Sequence, residues 1–273
     1  MARREFIPIP PPAPMPRTER IDPEQLLEGC RHGATDLVCV MGPTASGKTR
    51  FAVALARRFN ALAGAPVAEI LSADSRQVFV GMDIGTGKDM CEYGEIPVHL
   101  VDIVPAGIRY DICQYQRDFA AAYADCRARG VIPILCGGSG LYVEAVTKPE
   151  YRNMPDNDLK EGDLPEHTFY IATCVDRETR RAKIDRRLDE RLREGMVDEI
   201  KGLLEKGVPS DMLLHYGLEY RHVTRYLLGE TDYDTMREEL KNAIHQFAKR
   251  QMTWLRGMEK DGVSIHWTEP DAI

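Results

Sequence analysis

No stretch of this 273-residue chain approaches the ~18 uncharged apolar residues that a membrane-spanning helix needs, so a helical membrane protein is excluded. The first residues carry Arg3, Arg4 and Glu5 without an apolar core ahead of a cleavage site. Glu19 and Asp22 soon follow, and neither a secretory signal nor a transit peptide is expected. The cysteines (Cys30, Cys39, Cys91, Cys113, Cys126, Cys136, Cys174) are scattered and odd in number, and none forms a CxxC pair. That excludes a zinc ribbon and a disulfide framework. Cys39, Cys136 and Cys174 sit in apolar runs and read as small core residues, in a reducing, cytoplasmic compartment. Positive charge is also short: 36 Lys and Arg against 43 Asp and Glu leave a net charge of −7. A broad basic face for nucleic acid is therefore not expected, and any RNA contact must come from local patches. There is no internal repeat.

What the chain does have is ordinary globular composition, 43% apolar and 29% charged, in a length that suits one large α/β domain with or without an appendage. Residues 1–33 open with Pro8, Pro10, Pro11, Pro12, Pro14 and Pro16 and read as a flexible, polyproline-like leader. The core is expected over 34–258, its last part (176–258) helical, with a tail at 259–273. Leu37–Met41 is a short apolar run ending at Gly42, which reads as a buried parallel strand. Phe51, Leu55 and Phe59 then recur at helical spacing within 48–60. Further strands are expected at 66–71, 99–104, 131–136 and 168–175, with a helix at 113–129. Asp176 can N-cap a long helix reaching about Leu204. This order predicts a parallel sheet covered on both faces. Between 148 and 167 the composition turns to Pro, Asp, Asn and Gly and reads as a polar loop.

Gly42-Pro43-Thr44-Ala45-Ser46-Gly47-Lys48-Thr49 fits GxxxxGK[ST] at every fixed position, after a strand and before a helix. Glycines let the backbone curl several N–H groups around one anion, and the helix N-terminus adds positive potential. Lys48 supplies a point charge, and the Thr49 hydroxyl can hold Mg²⁺. A polyphosphate ligand follows, but the motif does not say whether it is ATP, GTP or another diphosphate. Asp74, just after the second strand, should lie at the same sheet edge as a metal partner or a general base.

From Asp74 the sequence DSRQVFVGMDIGTGK, ending at Lys88, resembles the signature of the tRNA dimethylallyltransferase (tRNA isopentenyltransferase) family. Other blocks agree in order: 97–104, 110–118, the ILCGGSGLY run from Ile134 to Tyr142, the helix from Arg177 past Glu199, and 247–256. The resemblance spans about 36–257. It implies an α/β, P-loop NTPase-like parallel sheet flanked by helices, with a helical C-terminal region. It further implies transfer of a dimethylallyl group from dimethylallyl diphosphate, seated in the phosphate loop, to N6 of an adenosine beside the tRNA anticodon. By the matching motifs, Asp74 is the base, Ser139 stands at the family's threonine and could orient Asp74 or a substrate oxygen, and Arg187, rather than Lys183, reaches the diphosphate. Ser75, Arg76 and Gln77 with Asp74, and Lys249, Arg250 and Gln251, fall where the family meets tRNA. Trp254 could be a core packer or a stacking surface. His99, His215, His222 and His245 read as structural. Only about 25 residues (143–167) stand where the family carries a helical insertion that grips the anticodon stem, and the eukaryotic zinc finger is absent. We expect a monomer with Mg²⁺ as cofactor. Three other readings stay open at this point: prenyl transfer to free adenine nucleotide, a kinase-like P-loop protein with Asp102 as metal ligand, and a non-catalytic RNA-binding remnant.

Overall fold

The computed structural model describes residues 14–151 and 158–273. The elements, in chain order, are α1 (Pro23–Arg31), β1 (Leu37–Met41), α2 (Lys48–Ala63), β2 (Ala68–Ser72), β3 (Phe79–Val80), β4 (Val98–His99), β5 (Val104–Pro105), α3 (Ile112–Ala128), β6 (Ile132–Gly137), α4 (Gly140–Thr147) and β7 (Thr168–Thr173). The C-terminal part adds α5 (Arg177–Glu194), α6 (Met196–Glu205), α7 (Ser210–His215), α8 (Leu218–Leu227), α9 (Tyr233–Lys260) and β8 (Ile265–Thr268).

The six-stranded sheet runs β4-β2-β6-β1-β7-β8, with every pairing parallel. Every residue of β1 is buried, because successive side chains of a strand point to opposite faces and here both faces are covered. Leu37, Cys39 and Met41 join Tyr115, Phe119 and Leu255 on one face. Val38 and Val40 join Phe51, Leu55 and Phe59 on the other. A third apolar cluster ties Val78, Phe79 and Met82 to α5, α6, α8 and α9. The expected sheet and its helical C-terminal region are therefore present.

Four expectations need correction. The leader ends well before residue 33: Asp22 caps α1, accepting from Glu24 and Gln25 backbone N–H groups, and Ile21, Leu26 and Leu27 pack against α2 and β1. Pro8–Pro12 lie outside the described residues. The C-terminal segment is not a tail, since β8 pairs with β7 and buries Trp267. The run 99–104 is not one strand. Leu100 (φ 64°) and Asp102 (φ 55°) turn the chain into the left-handed region, so β4 stays in the main sheet while β5 pairs with β3. The helix after Asp176 stops at Gly195 (φ 104°), a left-handed cap that re-aims α6. Apolar periodicity on both sides hides such a break, which only the backbone angle at Gly195 imposes.

Leu27 is 3% exposed. Leu27→Ala is expected to cost about 2–4 kcal/mol of unfolding free energy, the range for a buried large-to-small change. Denaturant titration checks this, and a loss below about 0.5 kcal/mol, as at a surface position, would return α1 to the leader.

Candidate active site

The phosphate loop curls because β1 ends against β7. A Cβ on Gly42 would sit 2.6 Å from Thr173 Oγ1 and 2.9 Å from its carbonyl oxygen, so no other residue fits. The buried Ser46 hydroxyl pairs with the Thr173 hydroxyl at 2.7 Å. Ala45 (φ 62°) and Gly47 (φ 86°) take left-handed conformations, and Lys48 starts α2. No side chain caps α2, so its first N–H groups face the loop's concavity, as an anion site requires.

A cleft of about 800 Å³ opens at the C-terminal ends of β1, β2 and β6. Thr44, Lys48 and Thr49 line it together with Asp74, Ser75, Arg76, Gln77, Ser139, Arg187, Arg250, Gln251 and Trp254. Asp74 Oδ1 accepts from the Arg76 N–H at 2.9 Å, while Oδ2 has no partner among the described residues. Arg187 donates to Asp89 at 2.6 Å and reaches the Gly87 carbonyl at 3.5 Å. Lys48 makes no hydrogen bond or ion pair among the described residues. Burial lowers its pKa from the usual lysine value, partly offset by Cys136 and Asp74. Burial also pushes the Cys136 thiol up to about 11, so it stays a neutral part of the floor.

The structure redistributes several expected roles. Ser139 does not bond Asp74. Its hydroxyl accepts from the Ser75 N–H at 3.0 Å, so it holds the turn that carries Asp74. Gln251 is a clamp: its Oε1 accepts from Thr44 N–H and its Nε2 donates to the Gly138 carbonyl, both at 2.8 Å. Gln77 is likewise engaged, donating to Gly87 O at 3.1 Å. Lys249 is exposed and does not line the cleft, whereas Arg250 does. Trp254 takes both parts: its indole N–H donates to Glu144, its ring packs on Gly140, and it reaches the cleft. Asp102 is ion-paired to buried Lys88 and lies away from the cleft, which removes it as a metal ligand there. His99 and His245 pair with Glu69 and Asp185, while His215 reaches the cleft. Sequence reasoning missed Arg191 and Glu219, which also line it. Arg191 lies in the family-like helix that begins at Arg177, where Arg187 was singled out instead, and Glu219 lies on α8 outside the blocks matched by resemblance.

A family profile described as IPP transferase matches residues 77–167 and 152–258. The chain is 44% identical to "tRNA dimethylallyltransferase 1" of Porphyromonas gingivalis, over 85% of this chain and 93% of that protein. It is 42% identical to "tRNA dimethylallyltransferase 2" of Bacteroides fragilis, over 86% and 92%. Among solved structures, the tRNA isopentenylpyrophosphate transferase of Bacillus halodurans superposes with a TM-score of 0.72 at 28% identity, covering 86% of this chain and 89% of that one. A eukaryotic dimethylallyltransferase acting on tRNA shares the fold, with a TM-score of 0.68 at 20% identity, over 84% and 73%. The aligned stretch with the P. gingivalis protein, 289 positions, is longer than this whole chain, so that relative carries residues this chain lacks. The family match divides at 152–167, inside the short segment 143–167.

Gln251 holds Thr44 of the loop from 207 positions away along the chain. Gln251→Leu is expected to leave a part-buried N–H and a buried carbonyl unpaired, costing about 1–3 kcal/mol of stability. Pyrophosphate affinity should fall with it. Thermal unfolding and calorimetric titration read both, and an unchanged affinity would detach the clamp from the site.

Proposed function

The chain belongs to the IPP transferase family and is a tRNA prenyltransferase, and from that footing we propose how its cleft works. The donor is dimethylallyl diphosphate and the acceptor is N6 of the adenosine beside the anticodon. The single observation that carries the assignment of roles is that Lys48, Arg187 and Asp74 converge on one cleft. The diphosphate sits against the phosphate-loop amides and the uncapped end of α2, with Lys48 and Arg187 as its cations. As the allylic C–O bond breaks, its electron pair leaves with the diphosphate, and fixed N–H groups and cations stabilise that developing charge. The adenine N6 attacks the allylic carbon. Its lone pair is delocalised into the ring, so loss of its proton must accompany bond formation. Asp74 receives that proton, with Oδ1 held by the Arg76 N–H and Oδ2 free. Ser139 acts one step back by fixing the Ser75 turn.

Mg²⁺ fits the donor set present. Thr49 offers a hydroxyl in the cleft, and a small hard cation uses few protein ligands beside phosphate oxygens and water. When bound it would neutralise charge on the leaving diphosphate. Among the described residues the one close grouping of metal-type ligands is Glu69, His99 and Cys126. None of the three lines the cleft, and both Glu69 oxygens are held by Arg129 at 2.7 Å.

The tRNA meets a local rim. Arg76, Arg221 and Arg250 line the mouth, and Arg250 lies 5.8 Å over the Phe247 ring. With the short 143–167 segment, more of the RNA contact falls on this rim. No helix among the described residues is long and apolar enough to cross a membrane, and all the cysteines are free thiols. The setting we assign is cytoplasmic.

Labelled dimethylallyl diphosphate with Mg²⁺ should label bulk tRNA and leave AMP and ATP unlabelled; label in AMP instead would reverse the acceptor. Asp74→Asn should lower turnover by roughly 10²–10⁴-fold with little change in donor affinity. Near-normal turnover would remove Asp74 from the base role. Lys48 binds the diphosphate only when protonated, and burial lowers its pKa. Pyrophosphate affinity should therefore be full below that lowered pKa and decline as pH rises through it, at a lower pH than for an exposed lysine. Lys48→Met should bind weakly at every pH and lose this decline.

A further inference from the structure

Arg191 stands one turn after Arg187 on α5 and has no part in the mechanism above. Its side chain lines the cleft beside Thr44 of the phosphate loop and is only 11% exposed. Its buried Nη2 has no hydrogen-bond partner. The nearest acid, Asp89, is 3.8 Å away and already accepts from Arg187 at 2.6 Å. Glu219 also lines this part of the cleft but forms no ion pair with Arg191, and burial favours its neutral form. An arginine keeps its proton even when buried, so this charge is left undercompensated.

The backbone opposite is shaped to accept both guanidinium groups. Gly87 turns at φ 61°, and a Cβ there would run into the Arg191 guanidinium and come within 2.6 Å of Arg187 Nη2. Two like charges held side by side repel each other. They become favourable together when a multiply charged anion lies against them. We propose that Arg191 is a second diphosphate-binding arginine, which completes with Lys48 and Arg187 a three-cation seat for the donor's diphosphate. The identity of the ligand rests on the prenyl-transfer reading; the demand for an anion at this place does not.

Calorimetric titration of the full-length protein with inorganic pyrophosphate tests it. Arg191→Met should weaken binding by about 10- to 100-fold, the loss of charge-assisted hydrogen bonds. Arg191→Lys should recover part of it. Arg186→Met removes the same charge from an exposed position on the same helix and should stay within about twofold of the native protein. In steady-state assays the KM for the donor should rise while the KM for tRNA holds. Native-like pyrophosphate binding by a folded Arg191→Met protein would overturn the proposal, as would an equal loss in Arg186→Met. Should Arg191→Met fail to fold, Arg191→Lys decides: severalfold weaker binding supports the seat, and unchanged binding overturns it. A native protein that binds pyrophosphate without labelling tRNA would sink the prenyl-transfer reading and leave the seat standing.

Discussion

Everything at this site depends on positive potential gathered at one cleft and only partly offset by acids: Arg187 pairs with Asp89, while Lys48 makes no ion pair among the described residues. The uncapped start of α2, the amides of the curled loop and the unpaired Lys48 all address the same cleft. Burial makes each of these groups more effective, because a charge removed from water interacts more strongly with an opposite charge. It also makes them costly, which is why Lys48 has a depressed pKa and Arg191 an unmatched nitrogen. The proposed leaving diphosphate is a species that such an arrangement would stabilise more as its charge develops.

The rest of the fold holds that point rigid. The loop is braced from three distant parts of the chain. Thr173 at the end of β7 bonds Ser46, Gln251 on α9 bonds Thr44, and Pro270 beyond β8 packs on Gly47. Gln251 also holds the Gly138 carbonyl, so the loops following β1 and β6 cannot separate without breaking buried hydrogen bonds. The Asp74 turn is fixed in the same way, through the Ser139 hydroxyl. Lys88 performs a parallel service outside the cleft, tying Phe79, Asp83 and Asp102 together so that the 85–89 turn stays against α5.

The acceptor side is built more sparingly. The chain is acidic overall, and its relatives carry residues that it lacks. The proposed RNA contacts fall at this cleft, which Arg76, Arg221 and Arg250 line against a net negative background. Contacts of this kind favour a short region of the substrate around the reacting base over a long stretch of backbone.

The phosphate loop was legible in the sequence because its glycines, Lys48 and Thr49 keep a fixed local spacing, although the contacts that exclude a side chain at Gly42 and Gly47, with Thr173 and Pro270, come from the tertiary fold. The central strands were legible because a strand buried on both faces must be apolar throughout, as Leu37–Met41 is. Asp74 could be placed because parallel strands deliver their C-terminal residues to one edge. The breaks at Leu100, Asp102 and Gly195 were not legible, since apolar residues continue on both sides and only the packed backbone forces the turn. Nor were the packing of α1 and β8, whose few apolar residues gain value only against α2 and β7. The duties of Ser139 and Gln251, and the isolation of Arg191, belong wholly to the tertiary structure. Which groups a side chain meets across a hundred residues of chain is decided by the fold that brings them together, whereas the residue's own chemistry decides only what it can offer.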